Sequence, residues 1–302
     1  MLPENKNRSS ELQNIFRDYI SKYAKSFAVI DLYTSHELFG YNLDHFIYPA
    51  SVYKVFIGAE VLRQIEIGVL RLDQEIIVKS PNDVDQDARI FPGDTRKLLQ
   101  VGDVVNIDYL LALMLERSDN TASNCVIDLV TRESITENII HRYGWHRSEV
   151  TRKFLDRNKD KKYQFSQTTL SCAKHLAEFM YQVETGTLIS PWVSEQLRTY
   201  MNRWHRNGRT GLNLSEYKSY YRKGGWLETN LWSWKTIPAL IKSLLYRKWG
   251  VIQWSNDIGV VTGEQSHYVV VLMSVNKQLF PNKPFPIQDF AKRLYNYMEG
   301  NK

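Results

Sequence analysis

The stretch that most constrains the fold runs from Pro49 to Leu62, because a turn leads there into a segment that is apolar almost all round. A helix without a polar face is normally buried in the middle of a domain. Ser51 and Lys54 are three residues apart in this stretch, so their side chains share one face of the first helical turn. A buried lysine can lose its proton and act as a base. The stretch therefore predicts an activated serine nucleophile.

The spacing alone is not specific, because Ser-x-x-Lys occurs four times in the chain. Only Ser51 opens an almost wholly apolar helix and lies upstream of Ser118-Asp119-Asn120, with Lys223-Gly224-Gly225 further on. Taken in this order, the three motifs are those of the penicillin-recognising serine enzymes. Over about residues 12–298, the chain therefore resembles class A β-lactamases and the low-molecular-weight penicillin-binding proteins, which are D,D-peptidases.

The resemblance implies a role for each motif residue in an acyl transfer. Ser51 is the nucleophile that becomes acylated, and Lys54 is the base that takes its proton. Ser118 passes a proton to the leaving nitrogen, and Asn120 hydrogen-bonds both the substrate amide and Lys54. Lys223 holds Ser118 and attracts the substrate carboxylate. If the two lysines lie close together, each lowers the pKa of the other, which helps Lys54 to act as a base.

The resemblance also assigns the strand that carries the second lysine. The backbone N–H groups of Ser51 and Trp226 hold the oxyanion, and Gly224 and Gly225 lie beside the substrate. The family has a hydroxyl residue where this chain has Gly224, so one contact to the substrate carboxylate is lost.

Each motif taken alone also has a purely structural interpretation. Ser51 can be an ordinary N-cap, and Ser118-Asp119-Asn120 can be a turn between two helices. Lys223 can be a solvated strand residue beside a glycine bulge. The occurrence of all three motifs, in order and at family-like separations, favours the catalytic interpretation.

The main departure from the family lies in the loop that follows the middle helices. In β-lactamases of this class, a glutamate in that loop activates the water that hydrolyses the acyl-enzyme. The matching stretch, residues 150–157, has no glutamate, and its only acid is Asp156, which is one methylene shorter. Asp156 is therefore the candidate deacylation acid, and slow deacylation is expected.

The connection of residues 227–250 is longer than its counterpart in the family. It combines three tryptophans with an apolar helical stripe and basic residues, and a basic amphipathic helix can lie on a membrane. Packing of the stripe against the chain's own fold is the favoured alternative. Its place beside Lys223 also makes the connection a candidate wall of the active site.

The order of the predicted elements indicates the architecture that the resemblance implies. Amphipathic helices are predicted over 12–23, with Ser9 or Ser10 as the N-cap, and over 287–298. Strands are predicted at 27–33, 37–41, 220–223, 251–262 and 267–275. This order indicates an α/β fold, in which an antiparallel five-stranded sheet is flanked by terminal helices and carries an inserted all-α domain.

Domain boundaries follow from this order. The α/β domain is predicted to consist of residues 1–48 and 208–302, the all-α domain of residues 49–207, and the active site is expected at their interface. Residues 70–103 are predicted to be irregular. Helix N-caps in the middle segment are predicted at Asn106, at Thr168 or Thr169, and at Ser190.

Composition excludes several classes of function. The 302-residue chain is 43% hydrophobic, and its net charge of +6 is spread along the sequence. Its densest basic run, residues 157–162, is interrupted by an acid and indicates a solvated loop rather than a nucleic-acid site. Neither a metal-binding motif nor a phosphate-binding glycine loop occurs, so no metal or other cofactor is expected.

The cysteines and the N-terminus bear on the compartment. Buried free thiols are expected at Cys125 and Cys172, although a disulfide between them stays open. No run of about 18 apolar residues predicts a transmembrane span, and residues 1–10 lack the apolar core of a signal peptide. Because the resembled enzymes work outside the cytoplasm, an extracytoplasmic location is expected, unless this chain is not exported.

Two classes of function fit the sequence. The first is a serine hydrolase or acyltransferase acylated at Ser51 by β-lactams or by D-Ala-D-Ala peptides of peptidoglycan, either a β-lactamase with slow deacylation or a D,D-peptidase. The second is a non-hydrolytic protein that keeps the fold for sensing or for peptidoglycan recognition. The natural substrate and the oligomeric state stay open.

The assignment of the nucleophile is directly testable. Replacing the hydroxyl in Ser51→Ala should abolish covalent labelling by a fluorescent penicillin, because no acyl bond can form, while the melting temperature stays within a few degrees. Ser171→Ala, in another Ser-x-x-Lys, is the matched control and should label normally. Labelling that persists in Ser51→Ala would mean that another residue is acylated.

Overall fold

Five strands form one antiparallel sheet in the computed structural model, which describes residues 5–22, 24–85, 94–163, 165–202, 218–230, 251–278 and 287–300. The strands of this sheet are β1 (Ala24–Asp31), β2 (Leu38–Tyr41), β5 (Ser219–Asn230), β6 (Val251–Thr262) and β7 (His267–Gln278). Two short strands, β3 (Glu75–Ile77) and β4 (Val104–Asn106), pair separately. The order in the larger sheet is β2-β1-β7-β6-β5, so β5 lies at one edge.

Helices occupy both ends of the chain and the segment between β2 and β5. In chain order they are α1 (Lys6–Ile15), α2 (Arg17–Lys22), α3 (Lys54–Glu66), α4 (Ile107–Ala112), α5 (Asn120–Val130), α6 (Arg132–Ile135), α7 (Ala173–Glu184), α8 (Pro191–Asn202) and α9 (Ile287–Met298). A 3₁₀ turn over Ala50–Tyr53 leads directly into α3, and wider π-type turns extend α4 and α6.

Both faces of β1 and β7 are buried, which explains why these strands are nearly continuous apolar runs in the sequence. Successive side chains of a strand point to opposite faces. On β1, Phe27 and Val29 pack with residues of the terminal helices, such as Phe16 and Phe290. Ala28 and Ile30 belong to the larger core that contains the middle helices. The sheet is therefore a middle layer between terminal and central helices.

Helix α3 lies at the centre of the larger core. Every side chain from Lys54 to Leu62 is buried, which confirms the buried helix predicted from its apolar sequence. A methyl group added at Gly58 would lie 3.2 Å from Leu115 and 3.4 Å from Leu197, so neighbouring helices pack closely on this helix. Close packing on all sides fixes the position of its first turn.

Two of the predicted N-caps are confirmed. The Asn106 side chain accepts a hydrogen bond from the N–H of Tyr109 at 2.8 Å, and Ser190 Oγ accepts one from the N–H of Val193 at 3.1 Å. In each case a side-chain oxygen satisfies one of the free N–H groups at the helix start.

The two other N-cap predictions are wrong, because tertiary contacts use the predicted side chains elsewhere. Helix α1 begins earlier than predicted, capped by Asn5, and the buried Ser9 Oγ instead accepts a hydrogen bond from Gly40 of β2. Helix α7 begins after Cys172 rather than after Thr168 or Thr169, and Thr169 Oγ1 accepts a hydrogen bond from a neighbouring loop.

The middle segment differs in one respect from the all-α prediction. Strands β3 and β4 form a two-stranded sheet within it, and β3 falls in the stretch 70–103 that was predicted to be irregular. The helices from α3 to α8 all lie between β2 and β5 in the chain, as the predicted division at residues 48 and 208 assumes. The division itself stays a prediction.

The cysteines are both free and buried. Burial raises the pKa of the Cys125 thiol to about 11 and that of the Cys172 thiol to about 12, so neither is a reactive thiolate at neutral pH. Within the described ranges, no helix has the length and apolar character needed to cross a bilayer.

A buried ion pair anchors the long loop that follows α6. The Arg132 guanidinium donates to both carboxylate oxygens of Asp160, at 2.8 and 3.2 Å, and lies 3.3 Å from the centre of the Tyr163 ring. Both charged side chains are more than nine-tenths buried. The pair ties the far end of the loop to the helical core and so holds residues 150–157 against α3.

The ion pair makes a prediction for stability. Asp160→Asn leaves the Arg132 charge buried without its partner, which should cost about 3 kcal/mol and lower the melting temperature by about 5 °C. Thermal denaturation measures the shift, and limited proteolysis should cut the loop faster. Asp73→Asn, which removes the fully exposed partner of Arg71, is the control and should change the melting temperature little. Equal shifts in the two variants would contradict an anchoring role for Asp160.

Candidate active site

The predicted nucleophile lies on a strained turn. Ser51 is half-buried in the 3₁₀ turn that leads into α3, and Ala50 before it has a φ of +50°, in the left-handed region. A non-glycine residue there costs about 1–2 kcal/mol, so the surroundings must hold it. The side chain of Asn256 on β6 contributes by donating to the carbonyl of Tyr48 at 3.1 Å. The turn is thereby tied to the sheet.

Strand β5 approaches this turn closely at Gly225. A Cβ atom at Gly225 would lie 2.6 Å from the carbonyl oxygen of Pro49 and 2.8 Å from the backbone nitrogen of Ser51. Real Cβ atoms do not come this close, so only glycine lets the edge strand lie against the nucleophile's backbone. Gly224 is buried, whereas the Trp226 side chain is 47% exposed. The stretch predicted to surround the oxyanion is thus brought beside Ser51.

Lys54 is enclosed by oxygen atoms of residues 118–120. Its side chain is wholly buried, and Nζ donates to the carbonyls of Ser118 and Asp119 and, at 2.8 Å, to Oδ1 of Asn120. Burial lowers the pKa of Lys54 to about 7, against the smaller opposing effects of the Asp85 and Asp119 carboxylates. A lysine with such a pKa can take a proton at neutral pH.

Ser118 connects the two predicted lysines. Its hydroxyl is 2.8 Å from Nζ of Lys223 and 3.4 Å from Nζ of Lys54. Its backbone has a φ of +64°, which turns the chain sharply between two helical segments. A buried ion pair of 2.9 Å between Arg117 and Asp119 stabilises that turn on either side of the serine. The Ser118 hydroxyl thus accepts from both lysine amines and lies between them.

Lys223 is wholly buried on β5. Burial, with the nearby charges of Lys54 and Arg222, lowers its pKa well below the ordinary value for lysine. Its Nζ also donates to the carbonyl of Gly224 at 3.1 Å. Lys54 is thus close enough to lower the pKa of Lys223, whereas the pKa of Lys54 itself is set mainly by burial.

Phe154, which the sequence did not reveal as a site residue, belongs to the loop of residues 150–157 and covers one side of the Lys54 amine. Nζ of Lys54 is 4.3 Å from the centre of its ring, and the ring stacks on Tyr53 with 4.9 Å between centres. Asn124 fixes its backbone, accepting from the Phe154 N–H at 2.8 Å and donating to its carbonyl. The loop thus presents an aromatic ring to the base.

Asp156, the predicted deacylation acid, lies on the exposed side of the loop. It lines a cavity of about 730 Å³ that also reaches Asn120, but the loop residue in contact with Lys54 is Phe154. The other residues lining this cavity are Tyr48, Tyr53, Asp83, Val84, Arg152, Lys153, Phe154, Leu155, Lys159, Thr168, Thr169, Leu227 and Trp254. The cavity is large enough for an acyl side chain and offers both charged and aromatic groups.

The long connection is only partly described. Strand β5 continues through Leu227 to Asn230, paired with β6 as far as Val251. The predicted amphipathic stripe falls in residues 231–250, which lie outside the described part of the chain. The hypotheses that this stripe contacts a membrane or forms a wall of the active site concern the same residues. Elsewhere in the described ranges, no group of three or more His, Cys, Asp or Glu side chains is placed to hold a metal ion.

The family comparison covers nearly the whole chain. A family model described as "Beta-lactamase enzyme family" matches residues 7–298. No curated protein sequence matches the chain.

Solved structures share the fold. PBP-A gives a TM-score of 0.71 at 16% sequence identity, covering 99% of this chain and 98% of that one. A PBP-A variant in an acyl-enzyme complex with penicillin G gives a TM-score of 0.72 at 16% sequence identity, and the match covers 99% of this chain and 100% of that one. A β-lactamase from Chitinophaga pinensis gives a TM-score of 0.71 at 17% sequence identity, and the match covers 98% of this chain and 100% of that one. At such identities the likeness establishes a β-lactamase-like fold, which confirms the predicted fold class.

The pKa of Lys54 predicts a pH dependence. If Lys54 is the base, it must be neutral to accept the serine proton, so the acylation rate should rise through about pH 7 and fall about tenfold per unit below it. Lys54→Arg should slow acylation by about 10²–10⁴, because arginine keeps its proton. Stopped-flow acylation by a chromogenic β-lactam gives both results, with Lys97→Arg on the surface as the control. A flat profile from pH 5.5 to 8.5 would exclude Lys54 as the base.

Proposed function

The chain belongs to the beta-lactamase enzyme family, and from that premise we propose that it is a serine enzyme that β-lactams acylate at Ser51 and that releases the acyl group slowly. In the proposed first step, Oγ of Ser51 bonds to the lactam carbonyl carbon and passes its proton to Lys54. The C–N bond then breaks, and the nitrogen receives a proton through Ser118.

The observation that carries the acylation proposal is the pair of buried lysines on either side of the Ser118 hydroxyl. Lys54, whose pKa is about 7, is suited to take the serine proton. Lys223 donates to Ser118 and is suited to attract the substrate carboxylate. The close approach of Gly225 to the Ser51 backbone supports an oxyanion site between Ser51 and Trp226.

Slow release follows from the group that faces Lys54. Hydrolysis of an acyl-enzyme needs a water on the carbonyl and a base to deprotonate it. The Phe154 ring has no acceptor for the water proton, and it is the group that faces Lys54 from the loop in which the resemblance calls for a glutamate. Asp156 is exposed on the loop, so we assign it at most a minor part in release.

A D,D-peptidase is the second candidate. Slow release of a β-lactam is the behaviour expected of a penicillin-binding protein, and a variant of PBP-A, similar in fold, forms an acyl-enzyme with penicillin G. In this version the substrate is a D-Ala-D-Ala peptide of peptidoglycan. Both versions place the protein outside the cytoplasm, where these substrates occur. A non-hydrolytic sensor is the third version, and it differs by forming no productive acyl-enzyme with a peptide.

The lifetime of the adduct tests the proposal. Intact-mass spectrometry of the protein mixed with benzylpenicillin should show one adduct, absent in Ser51→Ala, that persists for minutes or longer. Hydrolysis of the penicillin at many turnovers per second would identify an efficient β-lactamase and overturn slow release. The absence of any adduct would overturn acylation itself.

The Phe154 ring gives a sharper prediction. Phe154→Glu should shorten the adduct lifetime by about 10- to 100-fold, somewhat below the effect of an evolved general base, since a carboxylate then faces Lys54. Phe154→Gln removes the same stacking on Tyr53 without supplying a base, and it should leave the lifetime long. Asp156→Asn should change the lifetime little. A large loss of release in Asp156→Asn would instead show that this aspartate is the base.

A further inference from the structure

We propose that Asp85 is a positioning residue that sets the orientation of the Asn120 amide, and through it the hydrogen bond that Asn120 makes with Lys54. Asp85 belongs to none of the three motifs and lies in the segment between β3 and β4. The inference rests on the proposed acylation at Ser51 and adds a residue to that machinery.

The contacts of Asp85 hold its carboxylate in one place. Its Oδ1 accepts from Nδ2 of Asn120 at 3.0 Å, and its Oδ2 accepts from the backbone N–H of Asn120 and, at 3.4 Å, from that of Thr121. In return, Oγ1 of Thr121 accepts from the backbone N–H groups of Val84 and Asp85 at 3.0 and 3.2 Å. The segment and the start of α5 are thus joined by reciprocal hydrogen bonds.

The chemistry of a carboxylate dictates the orientation of the amide. A carboxylate only accepts hydrogen bonds, so the NH₂ group of Asn120 must face Asp85. The amide oxygen then points the other way and accepts from Nζ of Lys54 at 2.8 Å. The flipped amide would set oxygen against carboxylate and NH₂ against the lysine amine. One N–H of Asn120 is left for the substrate amide, the role that the resemblance assigns to this residue.

Asp85 also contributes charge to the site. The groups facing Lys54 are the carboxylates of Asp85 and Asp119, the Lys223 amine from β5 and the Phe154 ring from the loop. The two carboxylates raise the pKa of Lys54 and so oppose the effect of burial. Asp119 is bound by Arg117 at 2.9 Å. Removing the charge of Asp85 should therefore let Lys54 lose its proton at lower pH.

Asp85→Asn is the variant that tests the inference. The new amide has one acceptor oxygen for two N–H groups of Asn120, so Asn120 loses its fixed orientation. We expect acylation by the chromogenic β-lactam to slow by about 10- to 100-fold, as misplaced groups commonly do. We also expect the rising limb of the pH profile to move down by about 0.5 unit or more. If Asp85 had a purely structural role, the acylation rate would fall, but the midpoint of the pH profile would stay at its wild-type value.

Thr121→Val is the matched structural control. It removes the two hydrogen bonds that Thr121 Oγ1 accepts at the same junction but leaves the Asp85 carboxylate. It should therefore lower the melting temperature, while the midpoint of the pH profile stays at its wild-type value. If Asp85→Asn does not fold, Asp85→Glu keeps the charge and moves it by one methylene. For Asp85→Glu, the inference requires slower acylation with the midpoint of the pH profile at its wild-type value. A wild-type acylation rate in this variant would overturn the inference.

A second readout separates this inference from the proposed function. NMR titration of ¹³C-labelled lysines follows Lys54 without any β-lactam, and its midpoint should fall in Asp85→Asn. A wild type that forms no adduct overturns acylation at Ser51, while the titration still decides the role of Asp85. If Asp85→Asn changes neither the NMR titration midpoint of Lys54 nor the midpoint of the acylation pH profile, Asp85 does not act on Lys54.

Discussion

The interaction on which the site depends is the enclosure of the Lys54 amine by oxygen atoms of residues 118–120. A buried amine without hydrogen-bond partners is strongly destabilising, and here two carbonyls and an amide oxygen supply the partners. The same burial lowers the pKa of Lys54 to about 7. One arrangement therefore fixes the position of the base and gives it a proton affinity suited to neutral pH.

This enclosure requires backbone conformations that the chain must hold in place. Ala50 and Ser118 both have left-handed φ values, and each is next to a group proposed to react. Such residues persist only where their surroundings determine them. The buried Arg117–Asp119 pair stabilises the turn at Ser118, and the side chain of Asn256 ties the segment before Ala50 to the sheet. Part of the free energy of folding is thus used to orient reactive groups.

The loop after α6 is the part of the site on which the proposed slow release depends. The ion pair of Arg132 with Asp160 and the two hydrogen bonds between Asn124 and the backbone of Phe154 hold the loop against α3. What the loop presents to Lys54 is the ring of Phe154. The ring covers one side of the buried amine, and it has no acceptor for a proton from water. This contact is the basis of the proposal that the acyl group is released slowly.

The sequence by itself determined the fold class, the buried helix α3 and the set of motif residues, because these depend on hydrophobic periodicity and on motif order. It also located the caps at Asn106 and Ser190, which depend on local hydrogen bonding. Only the tertiary structure showed that Ser9 bonds to β2, and that Phe154 and Asp85 contact Lys54 and Asn120. These are contacts between segments distant in the chain, and neither side chain carries a local signal of its partner. Hence the sequence pointed to Asp156, the only acid of residues 150–157, whereas packing placed an aromatic ring against Lys54.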